Sequence, residues 1–139
     1  MTASRILVVD DEADIRGLLK EILAEEGYEV EVAADATQAR TSRATHVPDL
    51  VLLDLKMPKV DGFQVLAEMK SEPDLRSIPV IVMSSSSAEK DLVRAYDAQV
   101  SAYLVKPSNF DEYFNAIRAV KELWFHVVAL PPKVRSAAN

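Results

Sequence analysis

Short apolar runs alternate along this chain with longer stretches of helical period. The run RILVV at positions 5–9 is compact and β-branched, and Asp10 and Asp11 end it. Residues 14–26 then place Ile15, Leu18, Leu19, Ile22 and Leu23 three and four apart, which predicts one face of a helix. Gly27 follows as a left-handed stop. YEVEVA at 28–33 alternates as a half-buried strand would, and 36–44 reads as a weaker helix. DLVLL at 49–53 has no alternation, the pattern of a strand buried on both faces, with Asp54 at its end.

Pro58 and the pair Asp61-Gly62 mark a turn before a helix over 63–71. PVIVM at 79–83 is another buried strand, running into Ser84 and three further serines. Residues 88–98 repeat the helical period through Leu92, Val93 and Tyr96, and 101–105 form a fifth strand closed by Lys106-Pro107. Ser108 or Asn109 is placed to cap a last helix carrying Phe110, Tyr113, Phe114, Ile117, Val120 and Leu123. Five strands alternating with five helices predict an α/β fold, one parallel sheet doubly wound by helices on both faces. The main domain is expected over 4–122. The segment 123–139 reads as an extension: an apolar arm, WFHVVAL, ended by Pro131-Pro132, and then a frayed tail. Left in water that arm would be sticky, so it is expected to pack on its own domain or on a second copy.

Composition narrows the partners. The 139 residues carry a formal charge of −6 and are 49% hydrophobic, as a globular domain of ordinary size would be. An acidic chain does not grip nucleic-acid backbones or anionic membranes by charge alone. No cysteine is present, which excludes disulfides, zinc fingers and thiol nucleophiles. No apolar run is long enough to span a bilayer and no signal peptide is visible, so a cytoplasmic protein is expected.

Ligands of open doubly wound sheets bind outside the carboxyl ends of the strands, near the point where strand order reverses. The residues standing there are Asp10 and Asp11, Asp54, Ser84 and Lys106. With strand order 2-1-3-4-5, the first and third strands are neighbours and three carboxylates converge. Carboxylates so close repel and raise one another's pKa unless a cation joins them. A small divalent ion that takes oxygen ligands and keeps several waters answers this, which describes Mg2+. Lys106 enters from the far strand as a fixed positive charge, with Ser84 between it and Asp54. Three carboxylates, a hydroxyl and an ammonium make a receptacle for a phosphoryl group. A single strand-end Asp is usually a cap, but four of five strands here end in residue types that one chemistry needs.

The ordered set ILVVDDE at 6–12, LDLKMPKVDG at 53–62, residues 78–84 and YLVKP at 103–107 resembles the receiver domain of two-component response regulators, from about Arg5 to Val120. The resemblance implies the flavodoxin-like version of the fold. It implies that Asp54 is the phosphoacceptor, attacking the phosphorus of a phosphohistidine on a partner histidine kinase. Asp11, Asp54 and the backbone carbonyl of Lys56 would be direct metal ligands, with Asp10 holding a metal-bound water. Lys106 would pair with one phosphoryl oxygen and Ser84 with another, and Tyr103 would be the aromatic switch on the fifth strand. Such a protein catalyses transfer to its own Asp54 and slow self-dephosphorylation, and is not a turnover enzyme.

Some positions depart from the common receiver pattern. Gln99-Val100 stands where most receivers have Gly-Ala. Lys56 and Ser86, each two residues past a site residue, are expected to flank the path of an attacking water. Lys56 in that place predicts a long-lived phosphorylated state. The run at 84–91, Ala95-Tyr96-Asp97 and the apolar arm followed by Pro131-Pro132 resemble the small stand-alone regulators paired with phytochrome-type histidine kinases. That resemblance implies a homodimer built partly by Trp124, Phe125, Val127 and Val128, with His126 incidental. Output is expected as protein–protein contact through the fourth helix, fifth strand and fifth helix.

Two rivals share parts of this pattern. A Mg2+-dependent aspartyl-phosphate phosphatase of the haloacid dehalogenase type also uses a strand-end Asp, but with an Asp-x-Asp pair; Asp10 and Asp11 are adjacent, and Asp54-Leu55-Lys56 lacks the second acid. A flavin-binding module shares the fold class, yet three carboxylates without an arginine would repel a flavin phosphate. A bare interaction module that has lost phosphorylation is undercut by the complete set Asp11, Asp54, Ser84 and Lys106.

Overall fold

The structure, a computed structural model, describes residues 4–55 and 62–123, with only the backbone of Phe110. Five strands, β1 (Arg5–Val9), β2 (Glu29–Ala33), β3 (Leu50–Asp54), β4 (Val80–Ser84) and β5 (Ala102–Val105), alternate with α1 (Ala13–Glu25), α2 (Ala36–Thr45), α3 (Gly62–Ser71), α4 (Glu89–Asp97) and α5 (Phe110–Glu122). All strand pairs are parallel and the order is β2-β1-β3-β4-β5, as the sequence pattern and the receiver resemblance led one to expect.

Alternation within the strands sorts the core into two layers. Ile6, Val8, Leu50, Leu52, Ile81 and Met83 face α1 and α5, against Ile15, Leu19, Ile22, Leu23 and Ile117. Leu7, Val9, Val51, Leu53, Val80 and Val82 face α2, α3 and α4, against Ala39, Val65, Leu66, Met69 and Ala95. Every residue of β3 and β4 is buried, the reason their sequences show no polar alternation. The chain winds β1–α1–β2 in one direction and then crosses over β1 to start β3, so the helices fall on opposite faces.

Helix ends follow local chemistry. Asp35 Oδ1 accepts the Gln38 N–H at 2.9 Å to start α2, and Asn109 rather than Ser108 starts α5 by accepting the Glu112 N–H at 2.9 Å. Helices α1 and α4 end in the same motif. After α1, Gly27 (φ 94°) donates to Ala24 O and Tyr28 to Leu23 O. After α4, Gln99 (φ 70°) donates to Tyr96 O and Val100 to Ala95 O. Gln99-Val100, where receivers usually have Gly-Ala, therefore puts a long side chain in a backbone conformation that favours glycine.

The structure departs from the sequence reading in three places. The stripe Leu92, Val93, Tyr96 is not the inward face of α4: Ala95 is the helix's buried residue, and Val93 and Tyr96 are each 53% exposed. On α5, Tyr113, Ile117 and Val120 turn inward while Phe114 and Leu123 stay exposed. In β2 the expected in-and-out pattern is blurred, because Glu31 is as covered as Val30 and Val32. Its carboxylate is drawn into a cluster with Arg5, Ser42 and His46, and these contacts hold it below the usual carboxylate range, the Ser42 hydrogen bond most of all. Among the described residues no helix is long and apolar enough to cross a membrane.

Candidate functional site

Strand register brings the site residues level. Val9 is opposite Leu53, and Leu53 opposite Val82, so Asp10 and Asp54 emerge side by side from β1 and β3. Ser84 is opposite Val105, and its carbonyl accepts the Lys106 N–H at 2.7 Å. Alternation then decides direction. Asp54 has the parity of Leu50 and Leu52, and Lys106 that of Ala102 and Leu104, so both side chains go to the α1/α5 face. Ser84 has the parity of Val80 and Val82, and Tyr103 packs against the same layer, so these two go toward α3 and α4.

Lys106 joins the acids. Its Nζ lies 3.0 Å from Asp10 Oδ2, 3.4 Å from Asp54 Oδ2 and 3.2 Å from Glu12 Oε1. Asp10, Asp54 and Ser84 are buried, whereas Asp11 and Glu12 are exposed. Asp10 is also built into the start of α1: its Oδ1 accepts the Glu12 N–H at 2.9 Å, and its carbonyl accepts from Arg16 at 2.8 Å. Glu12, the N-cap, makes no side-chain cap of its own and is free to reach Lys106. Glu12 is a site residue without a predicted role, and its signal in the sequence is the unbroken acidic run Asp10-Asp11-Glu12.

Burial is the largest influence on Asp10 and pushes its carboxyl above the usual range, against the Glu12 amide and the Lys106 ammonium, which favour the charged form. Burial alone would weaken the Lys106 charge. Contact with Asp10, followed by the field of Asp54 and a hydrogen bond to Glu12, more than offsets it and holds the ammonium above the ordinary lysine range. The lysine is therefore a permanent cation.

The acids have room for a second one. Asp10 Oδ2 is shielded and accepts no directed hydrogen bond, the ammonium being close but out of line. Asp10, Asp11 and Glu12 offer carboxylate oxygens within 4.8 Å of one another. A hard divalent cation with oxygen ligands fits this donor set. Beside it, a cavity of about 650 Å³ between the start of α1 and the β5–α5 turn is lined by Ile15, Lys106, Pro107, Ser108 and Tyr113, among others.

Ser84 Oγ accepts the Ser86 N–H at 3.1 Å, which orients its lone pairs and leaves its own proton to donate. The Tyr103 hydroxyl donates to Ser86 O at 2.8 Å. The Ser86 hydroxyl donates to Asp91 Oδ2 at 2.6 Å. Behind Asp54 the chain is tight: a Cβ on Gly62 would lie 2.4 Å from Asp54 O and 2.7 Å from Leu55 Cα. Gly62 N–H donates to Leu55 O at 2.9 Å, docking the start of α3 on the acceptor strand. Lys56, named for its carbonyl and its side chain, lies outside the described residues, as do Trp124, Phe125, Val127 and Val128.

Residues 6–118 match the model of the response regulator receiver domain. Response regulator Rcp1 of Synechocystis is 43% identical over 84 residues, 60% of this chain and 57% of Rcp1. PdtaR, a transcriptional regulatory protein of Mycobacterium tuberculosis, is 41% identical over 97% of this chain and 65% of its own length. These matches thus span less than two thirds of the curated relatives. Among solved structures, the manganese-bound form of Rcp1 superposes with a TM-score of 0.84 at 33% identity, covering 93% of this chain and 99% of that one. The phosphorylated cyanobacterial phytochrome response regulator RcpA gives 0.88 at 35% identity, covering 94% and 100%. On the family match and on these superpositions, the chain belongs to the response regulator receiver domain family.

Proposed function

We propose that this protein is a phosphorylation-controlled signalling switch that takes a phosphoryl group from a histidine kinase onto Asp54. One observation carries the reading: a single ammonium, Lys106, bridges the buried acids Asp10 and Asp54 at 3.0 and 3.4 Å. Such a group neutralises charge as a phosphoryl oxygen arrives, and it needs no reorganisation to do so. Asp54 attacks phosphorus, the donor's imidazole leaves into the cavity beside Pro107 and Tyr113, and Ser84 donates to a phosphoryl oxygen. Asp10, Asp11, Asp54 and the Lys56 carbonyl would hold Mg2+, which supplies further charge neutralisation when bound.

The kinase is of the phytochrome type in this reading, supported by the likeness to Rcp1 and RcpA. The chain works in the cytoplasm, as a receiver over 4–122 with an extension over 123–139. It passes its signal by protein contact through α4, β5 and α5, where Val93, Tyr96, Val105 and Phe114 are exposed. The arm residues Trp124, Phe125, Val127 and Val128 help to form a homodimer. Self-dephosphorylation is slow.

The test is intact-mass measurement after acetyl phosphate and Mg2+. One phosphoryl group on the native chain, and none on Asp54→Asn, is the expected result. Equal labelling of both chains would remove Asp54 from the role. Steady turnover of a phosphomonoester would favour a phosphatase instead. Gel filtration of the same samples reads the dimer.

A further inference from the structure

Ser86 has every polar group engaged. Its N–H donates to Ser84 Oγ at 3.1 Å and its carbonyl accepts from the Tyr103 hydroxyl at 2.8 Å. Its hydroxyl donates to Asp91 Oδ2 at 2.6 Å and accepts the Ala88 N–H at 3.2 Å. The residue is therefore the joint between the Ser84 hydroxyl, the tyrosine of β5 and the first turn of α4. That helix is lightly held, since Ala95 is its buried residue.

We propose that the Ser86–Asp91 pair is a latch that keeps the β4–α4 connection in its unphosphorylated arrangement, so that Asp91 sets how readily Asp54 is phosphorylated. The inference rests on Asp54 being the phosphoacceptor. When the Ser84 hydroxyl moves toward an oxygen of the incoming group, Ser86 follows through the backbone and through its N–H. The Ser86 hydroxyl cannot follow while the Asp91 carboxylate, carried on α4, accepts from it. This charge-assisted hydrogen bond must stretch or break, and a bond made in only one of two states biases the equilibrium toward that state. The competent fraction, and with it the reaction rate, falls accordingly. Asp91 is thus a positioning residue that acts through Ser86.

The test is the initial rate of Asp54 labelling by acetyl phosphate at saturating Mg2+, with the melting temperature measured alongside. Ser86→Ala and Asp91→Ala are each expected to raise the rate about ten- to hundredfold, the effect of one charge-assisted hydrogen bond. The double variant is expected to go no further than either single one. Ser86→Thr keeps a hydroxyl and is expected to restore the native rate. Glu89→Ala, which removes an acid from the same turn without touching Ser86, leaves the rate unchanged. If Ser86→Ala and Asp91→Ala melt earlier but label at the native rate, the pair is only a helix cap and the latch is overturned. Additive effects in the double variant would overturn it too. A native chain that takes no label at all removes the phosphoacceptor reading itself, and the latch with it.

Discussion

The Lys106 ammonium stands closer to Asp10, at 3.0 Å, than to Asp54, at 3.4 Å. Lys106 is the positive partner of Asp10 and Asp54, with its side chain 9% exposed and a third acid, Glu12, at 3.2 Å. Lys106→Met leaves buried carboxylates without that partner, which costs about 3 kcal/mol in similar cases. Thermal unfolding in a chelator is expected to show that loss, and added Mg2+ to recover much of it by supplying positive charge. Labelling of Asp54 is expected to slow about a hundredfold even with Mg2+ saturating.

Asp10 bears the opposite cost. Its carboxyl is raised by burial, so the folded chain binds a proton there more tightly than the unfolded chain does. Stability without a divalent ion therefore falls as pH rises from about 4, the ordinary carboxylate value, through the raised one. Asp10→Asn is expected to flatten that decline and to raise stability at neutral pH by about 2 kcal/mol, the scale of an imperfectly paired buried group. It should also weaken Mg2+ binding. Chelator and Mg2+ melting curves from pH 4 to 8 check both signs; a variant less stable than the native chain throughout would refute the argument.

Gly62 fixes where the acceptor strand ends. A methyl there meets backbone atoms at 2.4 to 2.9 Å, which no side-chain rotation relieves. Gly62→Ala is expected to destabilise the fold by about 2 kcal/mol or more and to displace the Asp54 carbonyl. Denaturant unfolding reads the first effect. A labelling rate depressed well beyond the unfolded fraction reads the second.

The paired helix ends make an internal comparison. Gly27 and Gln99 occupy the same position of the same motif, at φ 94° and 70°. Gln99→Gly is expected to stabilise the chain by about 1 kcal/mol and Gly27→Ala to destabilise it by a similar amount. Urea midpoints of the two variants, at unchanged slope, should therefore move in opposite directions.

Much of this was legible from residue order because it depends on local chemistry. Unbroken apolar runs meant strands covered on both faces, and a polar residue closing each of four strands gave the candidate site. Where the reading failed, the deciding contact was distant. The apolar positions of α4 have a helical period, but period does not say which neighbour is near enough to cover them. Glu12 had no assigned role because its partner Lys106 lies 94 residues away.

By itself the sequence determined the element order, the parallel sheet and the identity of the residues at the strand ends, because hydrophobic period and chain connectivity leave few other arrangements. Only the tertiary structure decided direction. Register sets Asp10 and Asp54 level, and alternation turns them with Lys106 to one face and Ser84 with Tyr103 to the other. A side chain's direction depends on strands paired far apart in the chain, and that information exists only once the sheet has closed.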